Sequence, residues 1–227
     1  MISYFKYGEK ETNYLKNRDQ RLGEVIDKIG PIQREIDPDL FSSVIHHIIG
    51  QQISNKALAT IWNRRKDDLG KVNPDSIIQS TNEKLQSFGI SFRKTEYIKE
   101  FALKVHTGQV DLDVIQKRND QEAIDALCQL KGIGVWTAER ILLFSRQRPN
   151  IFSKDDLAIQ RGLRRVYHHR NIDAKLFEKY RKRFSPYCSV ASLYFWAVAA
   201  GAIKGMKDYQ KKPMKTNGDR DDKHKVL

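Results

Sequence analysis

The chain has 227 residues, with 41 Lys and Arg against 28 Asp and Glu, a formal net charge of +13 and a pI of about 9.7. That length suits one sizeable core or two small helical subdomains sharing a cleft, and the basic excess selects polyanionic partners, nucleic acid above all. No apolar run is long enough for a membrane span, and the N-terminal stretch has no signal-type apolar segment, so a soluble intracellular protein without a membrane partner is expected. In chain order, "LFSSVIHHIIGQQ" carries Leu40, Val44, Ile45, Ile48 and Ile49 on one helical stripe. "NKALATIWNRRKDDLG" follows Ser54, with Ala57, Leu58, Ile61 and Trp62 facing inward and Gly70 as its stop. "NPDSIIQS" and "TNEKLQSFG" read as short helices with polar starts. "SFRKTEYIKEFALKVHTG" places Ile98, Phe101, Ala102 and Val105 on one face. "DQEAIDALCQL" and "WTAERILLFS" flank a glycine turn, and "DLAIQRGLRRVY", "DAKLFEKYRKRF" and "SVASLYFWAVAAGAI" complete the series. No strand pair and no internal repeat is evident, so the expected class is all-α.

Cysteine usage fits a reducing compartment. The two cysteines, Cys128 and Cys188, lie far apart in apolar helical contexts and read as buried free thiols. Two cysteines cannot build a four-cysteine iron–sulfur site. The end of the chain, 204–227, holds eight Lys or Arg and four Asp with few large apolar residues, and reads as a basic, disordered tail that phosphate could attract.

The turn is the most informative stretch. In "LKGIGVWTA", Gly132 and Gly134 permit positive φ and leave no side chain over the turn, and Trp136, Thr137 and Ala138 open a helix whose first N–H groups have no internal partners. A glycine turn feeding a helix N-terminus suits a phosphate. A plain α–α connection also fits the residues. Shortly after, Asp155 and Asp156 precede a good helix; from that segment alone, N-capping and a chemical role both remain open.

With its neighbours, "LKGIGVWTAERIL" resembles the helix–hairpin–helix of the DNA glycosylase superfamily that carries an aspartate downstream of the hairpin. Within it the 3-methyladenine DNA glycosylase II (AlkA-like) family is the best match, in a compact form without an N-terminal β domain. Four further segments match in order: "IIGQQIS", "SFGISFRKTEYI", "FSKDDLAIQRG" and "SLYFW". Together they cover roughly residues 40–200. The resemblance implies two helical subdomains flanking a DNA-binding cleft, one spanning about 39–140 and the other combining 1–38 with about 145–203. It places the catalytic carboxylate on Asp156, with Asp155 as a nearby cap or support. Breaking an N-glycosidic bond builds positive charge on the sugar, which a fixed carboxylate stabilises while orienting or deprotonating water.

One departure selects the chemistry. Relatives that also cut the backbone carry a lysine just after the hairpin, where this chain has Trp136; Lys131 lies inside the hairpin. The expectation is therefore a monofunctional, hydrolytic glycosylase without lyase activity, acting on alkylated purines in duplex DNA. The alternatives are another lesion (8-oxoguanine, hypoxanthine or uracil) or a non-catalytic hairpin module. Base flipping needs a filler and a pocket. The resemblance puts Gln52 in the inserting loop with Gln51 and Ile53, and lines the pocket with Trp136 and Trp196, whose stacking on a cationic base competes with plain core packing as their reading. Arg140 stands where the family has another pocket aromatic, so a cation there disfavours a charged base unless it is paired, with Glu139 or Asp155 among the candidates. His46 and His47 read as surface or core histidines. DNA contact falls to Gly132, Gly134, Thr137, Lys131 and the loop, with Arg93, Lys94, Arg161 and Arg164 as further phosphate candidates. The resemblance also implies a Na+ or K+ ion on the backbone carbonyls of Cys128, Leu130 and Ile133, no required cofactor and no iron–sulfur cluster. The implied partner is double-stranded DNA with damaged bases, bound by a monomer in the cytoplasm or nucleoid, or the nucleus of a eukaryote.

Overall fold

The structure, a computed structural model, describes residues 3–209. Near its start, helices α1 (Glu9–Arg18) and α2 (Gln20–Ile29) form an antiparallel pair joined at Asp19. Asp19 caps α2 by accepting from Leu22 N at 2.9 Å, and Leu22, Val25 and Ile26 are buried. Before and after this pair lie β1 (Ser3–Tyr4) and β2 (Glu35–Ile36), antiparallel with Ser3 opposite Ile36. This pair corrects the expectation of no strands. Two residues per strand are too few to show an alternating pattern, and the pairing forms because the N-terminus crosses the linker leading to the next helix. That linker is tied forward too, since Asp37 N donates to Phe144 O at 3.0 Å.

The middle of the chain builds one helical group. It contains α3 (Leu40–Gly50), α4 (Asn55–Leu69), α5 (Pro74–Gln79), α6 (Asn82–Ser87) and α7 (Phe92–His106). It continues through α8 (Leu112–Lys117), α9 (Asp120–Cys128) and α10 (Val135–Arg146), with α10 packed against both α3 and α9. The predicted stripe of Leu40, Val44, Ile45, Ile48 and Ile49 is buried throughout. In α4 the inward face is only half-buried, and the fully buried residue is Arg65, whose guanidinium lies 4.0 Å above the Trp62 ring centroid and donates to Gly70 O. An arginine there follows from its long apolar stem.

The closing helices α11 (Leu157–Tyr167), α12 (Ala174–Phe184) and α13 (Cys188–Ala200) return to pack with α1 and α2. The tightest approach is at Gly162, where a Cβ would come within 2.5 Å of Phe195 O and 2.8 Å of Phe195 Cα. A single hydrophobic cluster joins both groups. Cys188 is buried, as expected, whereas Cys128 is half-buried; both are free. Segment 204–209 is held in place: Met206 packs on the core, Asp208 accepts from Arg164 at 2.8 and 2.9 Å, and Tyr209 lies against His168. The rest of the predicted tail, 210–227, lies outside the described residues. Among the described residues no helix is long and apolar enough to cross a membrane.

Candidate active site

Asp156 is the N-cap of α11, and its two carboxylate oxygens face different ways. Oδ1 accepts from Ala158 N at 2.9 Å and Ile159 N at 3.0 Å, satisfying the first turn of the helix. Oδ2 accepts from Trp136 Nε1 at 3.1 Å and lies 3.6 Å from Arg140 Nη1. The side chain is almost fully buried. Capping and a chemical role are thus not alternatives, because one oxygen holds the backbone and the other faces Trp136 and Arg140. Asp155, expected as a nearby cap or support, is exposed and does not cap α11.

On α10, Trp136, Arg140 and Phe144 recur every four residues and share a face. Trp196 arrives from α13 and stacks on Phe144, with ring centroids 5.6 Å apart. The Arg140 guanidinium carbon sits 5.0 Å from the Trp136 centroid, 5.1 Å from Phe144 and 5.4 Å from Trp196. Three aromatic walls therefore surround an arginine, each contact of the order of 0.5–2 kcal/mol. Arg34 stacks on the same Phe144 at 4.8 Å. The structure pairs Arg140 with Asp156 rather than with the expected Glu139 or Asp155; the half-buried Glu139 carboxyl has its pKa pushed upward by desolvation and by its acidic neighbours Asp155 and Asp156, with Ser153 as its hydrogen-bond donor. His46 and His47 line this region and are half-buried. Desolvation first, then Arg140, depresses His46 to about 4 and His47 to about 3, so both are neutral at pH 7. His47 packs on Phe144 and His46 on Trp62. Sequence reasoning missed Phe144 and Arg34. The four-residue spacing from Trp136 signals Phe144; nothing local signals Arg34.

At the hairpin only Gly132 uses positive φ, at +81°, and its missing side chain makes room for the Tyr97 ring. Gly134, expected to share that freedom, is extended with φ −99°; a Cβ there would meet nothing within 4 Å. Gly134 N-caps α10 without any side-chain cap, unlike most helices of the fold, which leaves the first N–H groups of α10 open.

The loop after α3 docks on this turn. Gln51 Nε2 donates to Gly132 O at 2.7 Å and lies 3.5 Å from the Oγ1 of Thr137, which is buried. Lys94 Nζ donates to Ile49 O at 2.7 Å and Gln51 O at 2.6 Å, closing the end of α3. The side chains of Gln51, Thr137 and Lys94, all DNA candidates in the sequence, are thus engaged within the protein. Gln52 is exposed, in the left-handed region at φ +57°, with Ile53 packed against the core beside it. Lys131 pairs with Glu100 at 2.7 Å, Arg93 donates to Tyr97 OH, and Arg161 and Arg164 face Asp208.

Residues 45–186 match the family described as HhH-GPD superfamily base excision DNA repair protein. The chain belongs to that superfamily. This HhH-GPD member is 32% identical to a DNA-3-methyladenine glycosidase of Bacillus halodurans of known structure, covering 88% of this chain and 94% of that one with a TM-score of 0.76. It is 28% identical to DNA-3-methyladenine glycosylase 1 of Schizosaccharomyces pombe, over 78% of this chain and 80% of the relative. A structure of the 3-methyladenine DNA glycosylase of that yeast in complex with abasic DNA superposes with a TM-score of 0.76 at 27% identity, over 89% of this chain and all of the other. The all-α HhH-GPD fold expected from the motif series is therefore the fold of this chain.

Proposed function

We propose that this HhH-GPD member is a monofunctional DNA glycosylase that hydrolyses the N-glycosidic bond of damaged purines in duplex DNA, alkylated purines of the 3-methyladenine type included. The carrying observation is the Asp156 Oδ2 oxygen, held beside an aromatic box by Trp136 Nε1 while Oδ1 fixes the helix. In this reading Asp156 is the catalytic residue. Its charge stabilises the developing positive sugar, and it orients a water whose oxygen attacks C1′ as the C1′–N9 pair leaves with the base. With Trp136 where a lyase would place its lysine, no covalent imine to the sugar is expected.

The names of the relatives support the substrate class, and the open N–H groups of α10 at Gly134 support a phosphate grip. Gln52 is the filler for the vacated base stack, projected by a loop that Lys94 and Gln51 hold rigid. Among the described residues the carbonyls of Cys128 and Ile133 accept no backbone hydrogen bond, and that of Leu130 accepts one from Ile133 N at 3.1 Å. This oxygen set suits a hard monovalent cation, Na+ or K+, which would join the hairpin to a DNA phosphate. We read residues 39–140 and the N-terminal segment with 145–203 as the two walls of the cleft, acting as a monomer.

Incubating the protein with duplexes bearing a panel of modified bases should release free base and leave abasic sites, with no covalent adduct on borohydride treatment. No release from any duplex would leave a DNA-binding module; a trapped adduct would make it a lyase. Gly134→Ala tests the grip. The added Cβ has open space in the protein, so the stability loss should stay near the roughly 1 kcal/mol of a poorer N-cap, while duplex affinity in a fluorescence anisotropy titration should fall about tenfold. Unchanged affinity would move the phosphate contact elsewhere.

A further inference from the structure

The aromatic box beside Asp156 is already occupied by a cation. Arg140 lies about equally far from the Trp136, Phe144 and Trp196 rings, and Arg34 covers Phe144 from another side. Among the described residues the carboxylate that pairs with Arg140 is Asp156, at 3.6 Å. A cationic base entering this box meets ring faces already engaged by the Arg140 guanidinium, with a second arginine, Arg34, on the Phe144 ring. Burial first, and then the same two arginines, keep the neighbouring His46 and His47 neutral. Trp196 adds a buried Nε1–H that has no hydrogen-bond partner among the described residues.

We propose that Arg140 determines specificity, shifting this enzyme's preference from cationic alkylpurines toward uncharged purines whose oxygen and nitrogen edge accepts hydrogen bonds. The inference rests on the glycosylase reading above. An arginine fork matches two adjacent acceptors such as the O6 and N7 of a 6-oxopurine. It also answers a chemical need. A cationic alkylpurine leaves neutral when it takes the C1′–N9 electron pair, and the proton of the attacking water goes to solvent. An uncharged purine leaves as an anion, so it needs a positive donor at its edge until the proton lost by the water reaches it. Arg140 is that donor, and the net reaction is the same hydrolysis, with free base and an abasic site as products.

Single-turnover release should be measured from duplexes carrying hypoxanthine, an uncharged base, and 7-methylguanine, a cationic one, with wild type and Arg140→Gln. The variant should lower hypoxanthine release at least tenfold more than 7-methylguanine release, so that the ratio between the two bases changes at least tenfold. A merely structural role for Arg140 would lower both together and leave the ratio unmoved, which would overturn the inference. If Arg140→Gln fails to fold, Arg140→Lys keeps the charge but loses the fork: hypoxanthine release should fall at least fivefold more than 7-methylguanine release, and an unmoved ratio would overturn the inference. Failure of wild type to release either base sinks the glycosylase reading instead.

Discussion

Asp156→Asn is expected to lower single-turnover base release from a damaged duplex by about three orders of magnitude, the scale of losing one preorganised electrostatic contact at a developing charge. Duplex affinity should stay within about threefold, because the carboxylate faces Trp136 and Arg140 rather than the hairpin that grips phosphate. The substitution keeps an amide oxygen able to accept from Ala158 N and Ile159 N, so the cap on α11 survives. The other end becomes an NH2 that faces two donors, Trp136 Nε1–H and the Arg140 guanidinium. That mismatch costs about 1–3 kcal/mol. Release kinetics must therefore be read alongside a thermal melt, at a temperature where the variant is folded. Near-wild-type release from folded Asp156→Asn protein would remove Asp156 from the chemistry.

Gly162→Ala should strongly disrupt the packing of α11 against α13. The new Cβ would lie 2.5 Å from Phe195 O, 2.7 Å from Phe195 Cβ and 2.8 Å from Phe195 Cα, all far inside contact distance. Two of these atoms are backbone on α13, so no rotamer change relieves them, and α11 and α13 must separate. Overpacking of this kind costs up to about 3 kcal/mol, which for a chain of this size lowers Tm by roughly 6–12 °C. The chemistry should suffer beyond the stability loss. Asp156 starts α11 and Trp196 follows Phe195 on α13, so separating these helices displaces the carboxylate from Trp136 and opens one wall of the box. Base release at a temperature where the variant is folded should fall at least tenfold, because misplacement on the ångström scale removes that much. A Tm within about 2 °C of wild type would show that the helices can yield at this crossing.

Legibility varied with the range of the interaction. The stripe from Leu40 to Ile49 and the polar starts at Asn73 and Thr81 reappear as buried face and N-caps, because helical period and capping act within one turn. The α1–α2 pair and α8 were not distinguished in the sequence. In α1 only Leu15 is buried, so its pattern is nearly all polar, and α8 is a six-residue helix with Ile115 alone inside. The site was legible as a set of positions but not as a set of contacts. Asp156, Trp136, Arg140 and Trp196 were all marked, yet the pairing of Arg140 with Asp156 rather than Glu139 was not. Thr137 and Gln51 were read as reaching outward, and tertiary packing turned both onto the protein.

By itself the sequence determined the helical class, the glycine turn before α10, and the placing of an aspartate at the start of the helix that follows. These are local properties, set by propensity, capping and φ preference within a few residues. Only the tertiary structure decided that α10 and α13 bring Trp136, Phe144 and Trp196 around one guanidinium, and that Gly162 sets how close Asp156 and Trp196 can come. Such neighbours come from segments tens of residues apart. Which side chains meet there depends on helix crossings fixed by the packed core as a whole, and no window along the chain contains that information.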